Sequence, residues 1–219
     1  MPRRRFAPYL WALPLALATP ALAEESFDLG LRAGITLADG EPANDIPGFG
    51  LFGHWRLNER WQLGFALETA EYDFEQPARL VGIRQDPSAN LVDAKAEGTT
   101  VSAWLERLWG PPGARGHWFW GAGIGLASID VPDARGPAAG GGLFDVETDA
   151  GTEVVASLLG GRRVELGERW ALDLTLHLDQ HFADWKVRDR VSGRRGAIDD
   201  YFTYGGSVGF AYRWPAGAQ

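Results

Sequence analysis

Eight times along this chain, apolar side chains take every second position while the residues between them are small or polar. A side-chain period of two belongs to a β-strand whose faces meet different surroundings. In the last instance Tyr204, Gly206, Val208, Phe210, Tyr212 and Trp214 share one face, and small residues with Arg213 share the other. Trp170, Leu172, Leu174, Leu176 and Leu178 likewise oppose Asp173, Thr175, His177, Asp179 and His181. The remaining six alternations cover 27–37, 49–57, 61–74, 95–109, 118–126 and 152–166. In the fourth, Arg107 falls on the apolar side, which calls for a bulge or for an arginine snorkelling to an interface.

The apolar stripes last about 9–11 residues, the length of a tilted strand crossing a bilayer. The connections alternate long and short, with segments 38–47, 75–93, 128–151 and 186–196 reading as polar loops. Two short turns share a phrase, Leu57-Asn58-Glu59-Arg60-Trp61 and Leu166-Gly167-Glu168-Arg169-Trp170. An even number of strands, alternating loop lengths and both termini on the short-turn side describe an all-β, eight-stranded antiparallel up-and-down transmembrane barrel. Trp55, Trp61, Trp109, Trp118, Trp120, Trp170 and Trp214 fall beside short turns or the C-terminus, so they are expected to form one interfacial girdle.

The polar faces would then point inward. Eight strands leave an interior just wide enough for side chains to fill, and buried charges need partners. Arg32, Glu68, Glu106, Arg163, Asp173, His177, Asp179 and Arg213 are expected to form a salt-bridged network that plugs the lumen. A soluble barrel with its apolar face turned inward around a ligand is the competing architecture. Grouping of the tryptophans at one level and the Gly-rich, doubly charged polar face count against it.

Met1-Pro2-Arg3-Arg4-Arg5, a short apolar run to Pro20 and Ala21-Leu22-Ala23 read as a secretory signal peptide, with cleavage expected after Ala23 and the barrel domain over 24–219. The formal net charge is −8 even with those arginines counted. That balance gives no support for a nucleic-acid partner, which needs a basic footprint. Zero cysteines exclude disulfides and thiolate metal sites.

Together the leader, the alternating strands, the Glu-Arg-Trp turns and the Phe210-x-Tyr212-x-Trp214 ending resemble the small outer-membrane β-barrel family, the OmpA-like transmembrane domains. Pro215 to Gln219 depart from that pattern, in which many members stop at the terminal aromatic. The resemblance implies a monomer in the Gram-negative outer membrane, surrounded by lipid and lipopolysaccharide. It also implies periplasmic chaperones and the barrel-assembly machinery as partners during biogenesis, no cofactor, and a structural or interaction role. An OmpW-like narrow channel for small hydrophobic molecules is the alternative. A lipid A-modifying enzyme is a further one: eight-stranded deacylases place Ser and His two apart. Here those steps are His177-x-Asp179 and His181-x-Ala183, so no serine nucleophile stands beside its base and no catalytic residue is assigned.

Two of the expected loops carry opposite charge. Asp145, Glu147 and Asp149 lack the glycine and terminal Glu of a calcium loop, so no metal site is assigned. Lys186, Arg188, Arg190, Arg194 and Arg195 either pair with such acids or contact lipopolysaccharide phosphates, for which arginine geometry is suited.

Overall fold

The computed structural model describes residues 26–38, 46–74, 77–86, 94–110 and 115–214. The expected signal peptide and the tail after Trp214 lie outside the described residues. Eight long strands close into one barrel: β1 (Phe27–Ala38), β2 (Ile46–Arg56), β3 (Trp61–Phe74), β4 (Ala94–Trp109), β5 (Gly116–Asp130), β8 (Thr152–Glu165), β9 (Trp170–Phe182) and β12 (Tyr201–Trp214). Every neighbouring pair is antiparallel, and β1 closes on β12 from Phe27 opposite Trp214 to Ala38 opposite Thr203. Closure leaves no barrel edge, which a bilayer requires because lipid offers backbone groups no hydrogen bonds.

The faces fall as the alternation demands. Leu31, Phe49, Val101, Ile124, Leu158, Leu176 and Val208 all lie exposed on the outside, Leu176 at 71% and Ile124 at 69%. A continuous apolar band of this kind is a solvation error in water and the expected wall in lipid. At Arg107 the β4 register runs unbroken on both sides, so no bulge is present. Its guanidinium lies 5.9 Å from the Trp61 ring and 6.0 Å from the Trp109 ring, a cation–π seat at the interface.

The two short turns that share a phrase close in the same way: Leu57 N–H donates to Trp61 O at 3.0 Å and Leu166 N–H to Trp170 O at 2.8 Å. They differ in how the corner is made. Asn58 Oδ1 accepts from the Arg60 and Trp61 amides, whereas Gly167 takes a φ of 136° that a side chain would strain.

At the opposite end the expected loops 128–151 and 186–196 are not irregular. They contribute β6 (Ala134–Pro137), β7 (Leu143–Asp149), β10 (Trp185–Asp189) and β11 (Arg195–Ile198), a second sheet in the order β11-β10-β7-β6. The segment expected as a loop over 75–93 includes a 3-10 helix, Pro77–Val81, and β2 begins at Ile46 rather than Phe49. The reason is a short alternation within the charged stretches. Phe144 and Val146 interleave with the acids, and Trp185 and Val187 with the bases, and all four are buried. With Ile46, Ala78, Val81, Ala96, Ile129, Ala134, Ala183 and Ile198 they form an apolar core, so the barrel carries a folded cap.

Candidate functional site

Inward-facing residues divide the lumen into levels. At mid-height Phe52, Ala66, Trp104 and Ala211 pack together with Leu159. Glycine provides the room: a Cβ at Gly64 would lie 2.1 Å from Trp104 Nε1, and one at Gly209 would lie 2.7 Å from the Phe52 ring. Arg32 covers this layer, 5.2 Å from the Trp104 ring and 6.0 Å from Phe52. Its guanidinium grips the Glu68 carboxylate with two donors, the fork geometry that fixes both side chains.

Below the layer lies the main charge cluster. Glu106, 1% exposed, accepts from Trp104 Nε1 at 2.5 Å and from Gln62 Nε2. Arg163, also 1% exposed, has Asp28 at 2.9 Å, Asp173 at 3.5 Å and Glu165 at 3.9 Å. The guanidinium can only donate, so His54 Nδ1 accepts from it at 3.2 Å and the His54 proton sits on Nε2, 3.6 Å from Glu106. Arg213 completes the cluster with Asp28 at 3.1 Å and Glu165 at 2.8 Å. Between cluster and aromatic layer remains a void of about 10 Å³, at the threshold for one water.

Above the layer the lumen opens into a cavity of about 110 Å³. Its walls include Thr36, Thr100, Ser102, Ser157, Thr175, His177 and Asp179, with Arg32 and Glu68 at the base. His177 Nε2 shares a hydrogen bond with Thr36 Oγ1 at 3.1 Å and stands 3.7 Å from Asp179. The eight expected lumen residues therefore all face inward but do not form one network. Arg32 with Glu68, and His177 with Asp179, are separated from Glu106, Arg163, Asp173 and Arg213 by the rings of Phe52 and Trp104. Those rings sit on the polar faces of β2 and β4, the signal for the partition. The network also recruits Asp28, His54, Gln62 and Glu165.

At the cap end of the cavity, Glu153 Oε1 lies 2.6 Å from His181 Nδ1, and His181 Nε2 lies 3.1 Å from Thr203 Oγ1. Carboxylate, imidazole and hydroxyl follow the order of a hydrolase relay. All three are buried, with His181 and Thr203 at the cavity wall. Tyr201 donates to the same Glu153 oxygen at 2.9 Å, stacks on His181 at 4.5 Å and meets Trp185 of the cap edge-on. The set reads as a strut that joins barrel to cap. Among the described residues no three His, Asp or Glu side chains converge as a metal site.

The girdle residues gather at the short-turn end: Trp109 pairs with Trp118, Phe27 pairs with both Trp55 and Trp214, and Trp170 pairs with Tyr212. Trp109, Trp118, Trp120, Trp170 and Trp214 are exposed; Trp55 and Trp61 are half-buried. Arg162 lies 5.2 Å over Trp118. The basic residues of the cap do not form a uniform patch. Arg190 is held by Asp133 at 2.7 Å, Glu147 at 3.0 Å and Asp145 at 3.4 Å, which holds its guanidinium above the usual arginine range. Arg194 donates to Gly82 O at 2.9 Å. Lys186, Arg188 and Arg195 stay on the outward face, where Lys186 stands opposite Asp149 and Arg188 opposite Glu147.

No protein-family model matches the chain, and no curated protein matches it in sequence. Solved structures do. The outer membrane protein OprG from Pseudomonas aeruginosa aligns over 89% of this chain and 97% of its own, with 10% identity and a TM-score of 0.60. Neisserial surface protein A aligns over 87% and 97%, with 13% identity and a TM-score of 0.52. At such identities the likeness establishes the fold, that of the small outer-membrane β-barrels.

Proposed function

We propose that this outer-membrane barrel is a closed, non-conducting protein of the Gram-negative envelope, one that displays a folded cap for interaction rather than passing solutes or performing catalysis. The observation that carries the reading is the filled lower lumen. Phe52, Trp104, Glu106, Arg163 and Asp173 are all buried there, around a water-sized void. Moving an ion past them would break a network whose charges are expensive to strand in a low-dielectric interior. Planar-bilayer recording of the purified barrel is expected to give no unitary current. Steady, ohmic single-channel steps would overturn the reading.

A narrow channel for small hydrophobic molecules fits this lumen poorly, because the cavity ends on the floor of Phe52 and Trp104, with the buried Glu106 and Arg163 below it. A lipid A-modifying role lacks an exposed nucleophile beside a base on the outward face of the described strands. Mass spectra of lipid A from cells with and without the protein are expected to be identical. Lipopolysaccharide phosphates are the proposed contact of Lys186, Arg188 and Arg195, the loop cations left outward-facing. Periplasmic chaperones and the assembly machinery are the proposed partners on the way to the membrane.

A further inference from the structure

The cavity above the aromatic floor has polar groups that no described residue satisfies. Thr100, Ser102, Ser157 and Thr175 line it, and their hydroxyls make no hydrogen bond to another described residue. Asp179 is placed by register between Ser157 on β8 and Thr203 on β12. Neither bonds to it. Its nearest charged or chargeable neighbour among the described residues is His177 Nε2 at 3.7 Å, and that nitrogen is already shared with Thr36 at 3.1 Å.

The other carboxylates near the cavity are committed. Glu68 is held by Arg32, and Glu153 by His181 and Tyr201. Among the described residues Asp179 thus has no hydrogen-bond donor, in a partly enclosed chamber where unpaired hydroxyls alternate with Ile46, Ala70, Val155 and Leu159. A half-buried carboxylate of this kind favours a cationic partner, and hydroxyls around it favour one with further polar atoms to bond.

We propose that the chamber is a single-ended binding site for a small primary ammonium ion, its nitrogen on Asp179 and its remaining polar atoms on Ser157, Thr175, Thr100 or Ser102. Volume limits the ligand. A cavity of about 150 Å³ holds benzene, so 110 Å³ admits about four or five non-hydrogen atoms. A phospholipid amine is excluded, because the closed strand wall gives its acyl chains no way in. The inference uses the closed floor and is independent of the envelope role proposed above.

The test is ¹⁹F NMR of 2-fluoroethylammonium with the folded barrel in detergent micelles, and neutral 2-fluoroethanol as its match in size. Saturable broadening is expected for the cation, displaced by ethanolamine, and at least tenfold weaker for the alcohol. Asp179→Asn should reduce cation binding at least tenfold, while Glu147→Gln on the outer face of the cap should leave it unchanged. Heat-modifiable gel mobility reports that each variant is folded. Should Asp179→Asn fail to fold, displacement by ethanolamine but not by ethylene glycol decides the matter on the unaltered protein. Equal broadening by cation and alcohol, binding that survives Asp179→Asn, or no broadening beyond empty micelles overturns the proposal.

Discussion

Replacing Arg163 with Met tests whether the lower lumen is held by pairing or merely filled. Methionine retains most of the apolar stem, so packing changes little and the charge is what is lost. Arg213 still serves Asp28 at 3.1 Å and Glu165 at 2.8 Å. Among the described residues Asp173 then loses the guanidinium at 3.5 Å and faces the accepting His54 Nδ1 at 3.9 Å, while that nitrogen loses its own donor at 3.2 Å. Removing one partner of a buried pair strands the other and costs about 3–5 kcal/mol. Urea unfolding of the vesicle-reconstituted barrel, followed by tryptophan fluorescence, reads that difference directly. Adding Asp173→Asn to Arg163→Met removes the stranded charge and should recover about half of a loss of that size. A cost below about 1 kcal/mol, within the range of exposed pairs, would mean that water solvates the cluster. So would a second substitution that recovers nothing. In either case the closed-lumen argument fails.

Three other perturbations address other levels of the molecule. Leu176→Arg places a charge on the lipid face near mid-strand and should cost about 2–4 kcal/mol; Thr175→Arg, one residue away but facing the cavity, should cost less than half as much in the same unfolding assay. Gly64→Val puts a side chain where Trp104 lies, with the first atom 2.1 Å from the ring nitrogen. It should displace the indole from Glu106 and destabilise the barrel by about 1–3 kcal/mol, and ion currents absent from the parent should appear in planar bilayers. In the cap, burial pushes the Asp189 carboxyl up, but the Ser192 hydroxyl and the amides of Asp145, Ser192 and Val191 outweigh it and hold the group down to about 2 from an ordinary 3.8. Its stabilisation is fully present above pH 3.8 and disappears as pH falls through 2, so cap proteolysis by an acid protease should rise across that window. Asp189→Asn should flatten the profile.

Strand positions and faces were legible because lipid imposes one rule on every residue of a barrel strand, outward or inward. Arg107 illustrates the point: it looked out of phase, yet its register is regular and two tryptophans seat it. The partition of the lumen was harder to read. Phe52 and Trp104 stood on faces classed as polar, and only their meeting across β2, β3 and β4 turns two isolated rings into a floor. The pairs Glu153–His181 and Arg163–Asp28 join residues far apart in sequence, and no local pattern announces such pairs. The cap is hidden in the sequence because its strands are four to seven residues long and carry alternating charges on one side. Such a segment looks like a solvated loop until its small buried set, Phe144, Val146, Trp185 and Val187, finds a common core.

That core also orders events during assembly. Its residues come from the ends of β2, β4 and β5 and from the segments between barrel strands, so none can bury its apolar side before most of the wall is in register. Contacts between such distant stretches form late, since the intervening chain must be closed first. The cap is therefore a record of a completed wall: a surface that exists only once the distant stretches supplying its core have met.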